Sequence, residues 1–166
     1  LRKYPTYIVY DIMQSLANQT TFGAMARNEF QYPGYHSMLN PLVCGKNREY
    51  FGKVVILVNE YTQSRGEFTA QALRTIPGAK VVGSQTAGAD GEVLNVVLPM
   101  NIKVQFTINA IFDTQGKSMQ GAGILPDVEV RPTVEGISAG RDEVLEKGIE
   151  VLQQLIKQEA KPFKDK

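Results

Sequence analysis

Asn59-Glu60-Tyr61-Thr62-Gln63-Ser64-Arg65-Gly66-Glu67 follows directly on the apolar run Val54-Val55-Ile56-Leu57-Val58. The run reads as a buried strand over residues 53–58. Residues 65–75 read as a helix with Phe68, Ala72 and Leu73 inward, stopped by Pro77-Gly78. Ser64 therefore stands on a strand-to-helix turn. There a hydroxyl can be held clear of the sheet, beside the N–H groups of the helix start, which is the geometry an acyl-transfer nucleophile needs. Ser64-Arg65-Gly66-Glu67 also fits a capping box, in which serine accepts from the N–H three residues on. On the local pattern alone capping is the commoner role. The two roles compete, because a hydroxyl engaged with its own helix is less available to attack a carbonyl.

A serine nucleophile needs a base, and the chain offers few. Asp90 ends the Gly-rich stretch Gly83-Ser84-Gln85-Thr86-Ala87-Gly88-Ala89-Asp90. A carboxylate with a pKa of about 4 is a weak base unless burial raises it. His36 lies in Pro33-Gly34-Tyr35-His36-Ser37, where a solvated surface role is the commoner one. Glu67 fits better as the cap partner of Ser64 or a brace for the turn. Cys44, with no paired histidine in view, is not a nucleophile candidate. With one cysteine and one histidine the chain has no disulfide framework and no zinc ligand set, so no metal or other cofactor is expected.

Composition narrows the rest. At 166 residues the chain suffices for one domain with a real core, and 43% hydrophobic with 21% charged residues is ordinary for a globular protein. The net charge of +1 comes from scattered basic residues, which gives no nucleic-acid footprint. No apolar run approaches the roughly 20 residues needed for a transmembrane helix. The chain opens on Leu1-Arg2-Lys3-Tyr4-Pro5 without a methionine and reads as a segment of a longer protein.

Other elements follow from periodicity and turn residues. Thr6 can cap a helix to about Leu16, with Ile8, Ile12, Met13 and Leu16 on one face. Residues 19–29 suggest a short strand. Residues 31–50 carry prolines, glycines and aromatics without a period, and read as a long surface loop. Residues 79–83 form a strand that should lie parallel to 53–58, with the helix crossing between them. Further strands are expected near 92–98, 101–109 and 125–131. Asp142 opens a last helix with Val144, Leu145, Ile149, Leu152, Leu155 and Ile156 on its apolar face. Residues 161–166 should fray.

The ordered set of buried strand, Asn-Glu turn, Ser64, Glu67, helix, Pro-Gly, second strand, Gly-Ser-Gln-Thr-Ala-Gly loop and Gly123-Ile124-Leu125-Pro126-Asp127 resembles the catalytic domain of the tail-specific (C-terminal processing) serine peptidases. Tricorn-type relatives share that pattern, and the Thr86-Ala87-Gly88-Ala89-Asp90-Gly91 loop is similar to a Bacteroides-like branch. The resemblance is good over roughly residues 50–131. It implies an α/β fold, the crotonase/Clp-protease-like spiral of ββα units, here as a partial domain whose upstream part is missing. It places the nucleophile at Ser64. It places oxyanion donors at the backbone N–H of Arg65 and of Thr6, although the family's Gly-Gly is here Thr6-Tyr7. The lysine that serves as base in the processing enzymes falls on Ala89, and its supporting glutamine on Val93. Tricorn-type relatives use instead a histidine beside the Gly-Gly loop, absent from that region here, and a glutamate that falls near Gln120; the upstream part is therefore another source for the base. Asp90, Gln120 and His36 remain as possible base or orienter. Asp127 and the loop glycines read as structural.

The function implied is serine-type cleavage of peptide bonds in protein tails or unfolded polypeptides, in a bacterial cell envelope or periplasm. An upstream peptide-binding domain is a further possible part of the parent. The segment alone is expected to be a poor peptidase, since it lacks the lysine, both glycines and part of the cleft. Two other readings stay open. One is a catalytically weak or inactive peptidase-fold module that binds peptides or apolar ligands. The other is a crotonase-type acyl-CoA enzyme, though no basic residues are placed for its phosphates.

Overall fold

The computed structural model describes residues 1–2, 8–28 and 36–159, with the backbone alone at 27, 28, 36 and 38–40. The expected cap at Thr6 and the tail at 161–166 lie outside the described residues. In chain order the elements are α1 (Ile8–Leu16), β1 (Thr20–Asn28), β2 (His36–Cys44), β3 (Val55–Val58), α2 (Arg65–Arg74), β4 (Lys80–Gly83), β5 (Val93–Leu98), β6 (Ile102–Thr107), β7 (Asn109–Phe112), β8 (Val128–Glu129), α3 (Val134–Ser138) and α4 (Glu143–Glu159).

The expected strand–helix–strand unit is present. β3 and β4 pair in parallel, from Val55 opposite Lys80 to Val58 opposite Gly83, and β8 adds in parallel beyond β4. The strands approach closely at Gly83. A Cβ there would stand 1.8 Å from the Val58 carbonyl oxygen, and its φ is +137°. Side chains alternate across the sheet. Ile56 and Val58 are buried in the main core with Phe68 and Leu73 of α2. Val55 and Leu57 turn the other way, into an apolar groove with Leu145, Ile149 and Leu152 of α4. Helices thus cover both faces, as a parallel sheet requires. Asp127 is structural as expected: Oδ2 accepts from Val81 N–H at 2.7 Å and Oδ1 pairs with Arg74 at 3.1 Å, tying β8 to β4 and to the end of α2.

A second sheet, in the order β2-β1-β7 and antiparallel throughout, lies against α2. Gln71 of α2 donates from Nε2 to Phe22 O at 2.7 Å and Phe112 O at 3.0 Å, and Phe22 meets Phe68 edge-on at 4.8 Å between centroids. Between the two sheets every residue from Gly66 to Leu73 is buried, a wider burial than the three inward residues expected.

Four expectations need correction. Residues 36–44 are strand β2 where a loop was expected. The aperiodic pattern reflects an irregular register, with shifts between Thr21 and Gly23 and between Ala24 and Ala26, and with Pro41 in the outer strand. The strand expected at 101–109 is two strands. β6 pairs with β5, then the chain turns at Ile108 and β7 joins β1. In α1 the buried side chains are Val9 and Met13, continued by Ala17, while Ile8 faces out. In α4 the buried stripe is Val144, Gly148 and Val151, and Leu145, Ile149 and Ile156 stay half exposed. Gly148 allows a close approach to Leu57, where a Cβ would stand 2.6 Å from Leu57 Cδ2.

The β5–β6 hairpin stands apart as a two-stranded ribbon. Leu94, Val96 and Leu98 oppose Phe106, Val104 and Ile102 on one largely exposed face.

Candidate active site

Ser64 sits where the β3–α2 turn becomes helix. The turn is held by Thr62, fully buried, whose Oγ1 accepts from Asn59 N–H at 3.1 Å and donates to Leu1 O at 2.7 Å. Thr62 O in turn accepts from Ala87 N–H at 2.9 Å. Leu1 lies beside β3, its backbone nitrogen 2.6 Å from Leu57 O.

The backbone of Ser64 has φ 48° and ψ −120°. A serine that only caps a helix sits in the β region. Positive φ with strongly negative ψ is a conformation non-glycine residues rarely adopt. A strained strand-to-helix elbow of this kind can lift a hydroxyl off a sheet. The capping box of Ser64 and Glu67 is nevertheless present, with Glu67 Oε2 accepting from Ser64 N–H at 3.2 Å. Ser64 is half-buried and lines a cleft of about 630 Å3 with Arg65, Phe68, Asp90, Gly91 and Asn109.

Glu67 is the hub that joins elbow to loop. It is fully buried and accepts from Thr86 Oγ1 at 2.5 Å, Gly88 N–H at 2.8 Å and Ala89 N–H at 2.9 Å, besides Ser64 N–H. Thr86 Oγ1 accepts in turn from Ile124 N–H at 2.7 Å, which brings in the loop before β8. Gly88 has φ +68°, and a Cβ there would press on the backbone of residues 121–123 at 3.0–3.1 Å. The brace expected of Glu67 is present, but its reach across the 86–89 loop was not foreseen. No local signal carries it, because three of the four donors lie about 20 residues downstream.

Asp90 is 4% exposed. Its Oδ1 accepts from Gly91 N–H at 2.8 Å, and its Oδ2 has no hydrogen-bond partner among the described residues. Burial pushes the carboxyl up to about 7; the Gly91 N–H bond opposes this, the Glu67 charge adds to it, and the Arg65 charge opposes it. Arg65 begins α2, so its N–H lies at the positive end of the helix, and its guanidinium stands 4.6 Å over the Phe68 ring. Ala89 is exposed and carries only a methyl group where the resemblance places a lysine.

The other expected residues are dispersed. Gln120 is exposed on the loop before β8, its N–H donating to Ser118 Oγ at 3.3 Å. His36 is the first residue of β2, opposite Asn28, so its backbone is strand where a loop was expected, and its side chain lies outside the described set. Thr6 also lies outside the described residues. Cys44 is buried, and burial pushes its thiol up to about 11, which leaves it inert at neutral pH. Among the described residues no group of three or more His, Cys, Asp or Glu side chains could hold a metal ion, and no helix is long and apolar enough to cross a membrane.

Residues 8–130, from the start of α1 through β8, match peptidase family S41, and the chain belongs to that family. It is 31% identical over 116 residues to a tricorn protease homolog of Streptomyces coelicolor, covering 63% of this chain and 9% of the relative. It is 28% identical over 92 residues to a carboxy-terminal-processing protease of Bartonella bacilliformis, covering 55% of this chain and 21% of the relative. A crystal structure from Parabacteroides merdae superposes with a TM-score of 0.78 at 24% identity, over 88% of this chain and 47% of the other. Mature CPAF superposes with a TM-score of 0.76 at 17% identity, over 95% and 42%. These structures share the fold, so the chain is a partial S41 peptidase domain as the resemblance implied. It spans less than a quarter of those two curated relatives and under half of those solved chains.

Proposed function

We propose that this chain carries the nucleophile of a serine endopeptidase that cleaves peptide bonds in protein tails or unfolded polypeptides. The strained backbone of Ser64, at a helix start and on an open cleft, carries this reading. A helix cap alone has no use for such strain, whereas an attacking hydroxyl does. Ser64 Oγ attacks the scissile carbonyl. The N–H groups of Arg65 and Thr6 hold the oxyanion, Arg65 with the field of α2 behind it. Asp90, Gln120 and His36 are the groups left for proton transfer or orientation. Family membership supports a polypeptide substrate, and the likeness to a carboxy-terminal-processing protease supports a bacterial envelope or periplasmic setting.

The rest of the substrate cleft, with a peptide-binding domain, belongs to the longer protein in this reading. The segment alone is then a poor peptidase. The test is casein hydrolysis by the full-length protein and by this segment, each beside Ser64→Ala. Cleavage by the full-length protein that vanishes in Ser64→Ala is the expected result. Cleavage that survives the substitution would remove Ser64 from the mechanism. A full-length protein that binds peptides without cleaving them would favour the binding-module reading.

A further inference from the structure

We propose that the cleft beside Ser64 selects a large apolar side chain, such as leucine or phenylalanine, on the acyl side of the scissile bond. Met25, Leu42, Phe68 and Ile111 are its specificity-determining residues. This rests on the serine-peptidase reading above.

The placement follows from α2. Phe68 N–H donates to Ser64 O at 3.0 Å, so the two residues stand one helical turn apart on one face. Both line the cleft. An acyl carbon bonded to Ser64 Oγ carries its side chain on the adjacent Cα. A turn rises about 5.4 Å, a span that a leucine or phenylalanine side chain crosses and an alanine methyl does not. The facing wall comes from the other sheet, with Met25 of β1, Leu42 of β2 and Ile111 of β7. Met25 and Ile111 are opposite each other in the β1–β7 ladder, so their side chains leave the sheet on the same face. Leu42, Phe68 and Ile111 belong to the main core, which fixes the floor in place.

The polar groups of the cleft are turned away from a ligand or engaged. Asn109 is buried, its Oδ1 accepting from Glu92 N–H at 2.7 Å and its Nδ2 donating to Met25 Sδ at 3.0 Å. Asp90 gives Oδ1 to Gly91 N–H and keeps Oδ2 sealed from solvent, so it is a poor partner for a basic side chain. The Arg65 guanidinium, 4.6 Å over the Phe68 ring, repels a basic side chain from the same wall. Glu92 stands exposed at the rim. A charged side chain entering this floor would lose water without gaining a partner, whereas an apolar one gains from the area it removes from water.

The experiment compares quenched fluorogenic peptides that differ at one residue only: leucine, phenylalanine, alanine, lysine or glutamate. The full-length protein is used as wild type, Met25→Glu, Val93→Trp and Ser64→Ala. Mass spectrometry of the products fixes the bond cut, and kcat/KM is measured for each peptide. Wild type should cleave after leucine and phenylalanine about 10–200-fold faster than after alanine, the discrimination an apolar pocket achieves. Lysine and glutamate should be poorer than leucine by at least as much. Met25→Glu should move the preference toward lysine. Val93 is exposed at the rim, so Val93→Trp narrows the cleft without touching the core. It should slow cleavage after phenylalanine and leucine more than after alanine. A wild type that cleaves all five alike, or lysine or glutamate best, beside a dead Ser64→Ala, would overturn the apolar pocket and leave the peptidase reading standing. An unchanged order of preference in Val93→Trp would overturn the pocket as well. Cleavage that survives Ser64→Ala, or none by wild type, would overturn both.

Discussion

Two carboxylates near Ser64 are buried in different ways. Glu67 meets four donors and acts as a clamp, whereas Asp90 meets one and keeps one oxygen without a partner among the described residues. Glu67→Gln would turn an NH2 group toward some of those donors. It should cost roughly 1–3 kcal/mol of stability, the desolvation penalty of groups left unsatisfied, read from urea unfolding. An unchanged midpoint would show that the loop is held without Glu67. Asp90 should act on stability with the opposite sign. Burial raises its folded pKa to about 7, above the ordinary aspartate value of about 4, so the folded state binds the extra proton between those values. Stability from this group is therefore present at low pH and is lost as pH rises from about 4 through 7. Asp90→Asn should flatten that fall and be more stable than wild type at pH 8 by an amount on the order of a few kcal/mol. Equal slopes in the two proteins would contradict the burial argument. Of these residues Ser64 was legible in sequence, because strand, turn and helix signals converge on it. The burial of Asp90 was not, because the cleft it lines is assembled from residues distant in the chain, Asn109 and Ile111 among them.

At the scale of elements, α2 is the keel of the site. It lies between the parallel sheet and the β2-β1-β7 sheet, and its polar residues are bonded inward instead of solvated. Thr69 Oγ1 donates to Arg65 O at 2.7 Å, and Gln71 bridges β1 and β7. The elbow depends on how closely β3 and β4 lie under it. Gly83→Ala would set a Cβ against the Val58 carbonyl at positive φ and should destabilise by roughly 2–5 kcal/mol, through overpacking and backbone strain. Denaturant unfolding checks this, and a loss under about 0.5 kcal/mol would contradict the close approach. The β3–α2–β4 unit was legible because two apolar runs flank one helix, and local signals suffice for it. β2 was hidden, since an irregular partner of β1 needs no alternating pattern of its own. The break at Ile108 was hidden too. The choice of β7 to leave the hairpin and join β1 is a long-range pairing decision, and the residues 101–109 carry no turn signal there.

For the molecule as a whole, family membership and the parallel core are consistent with the nucleophile proposed at Ser64. The face of Leu94, Val96, Leu98, Ile102, Val104 and Phe106 remains largely exposed. The account rests on Ser64 being an attacking group and not only a cap. Fluorophosphonate labelling of the full-length protein, with the adduct mapped by peptide mass spectrometry, tests that most directly. The account predicts a single adduct on Ser64, absent in Ser64→Ala and formed faster at pH 8 than at pH 6. A folded protein that takes up no label, or that carries it on another residue, would contradict it.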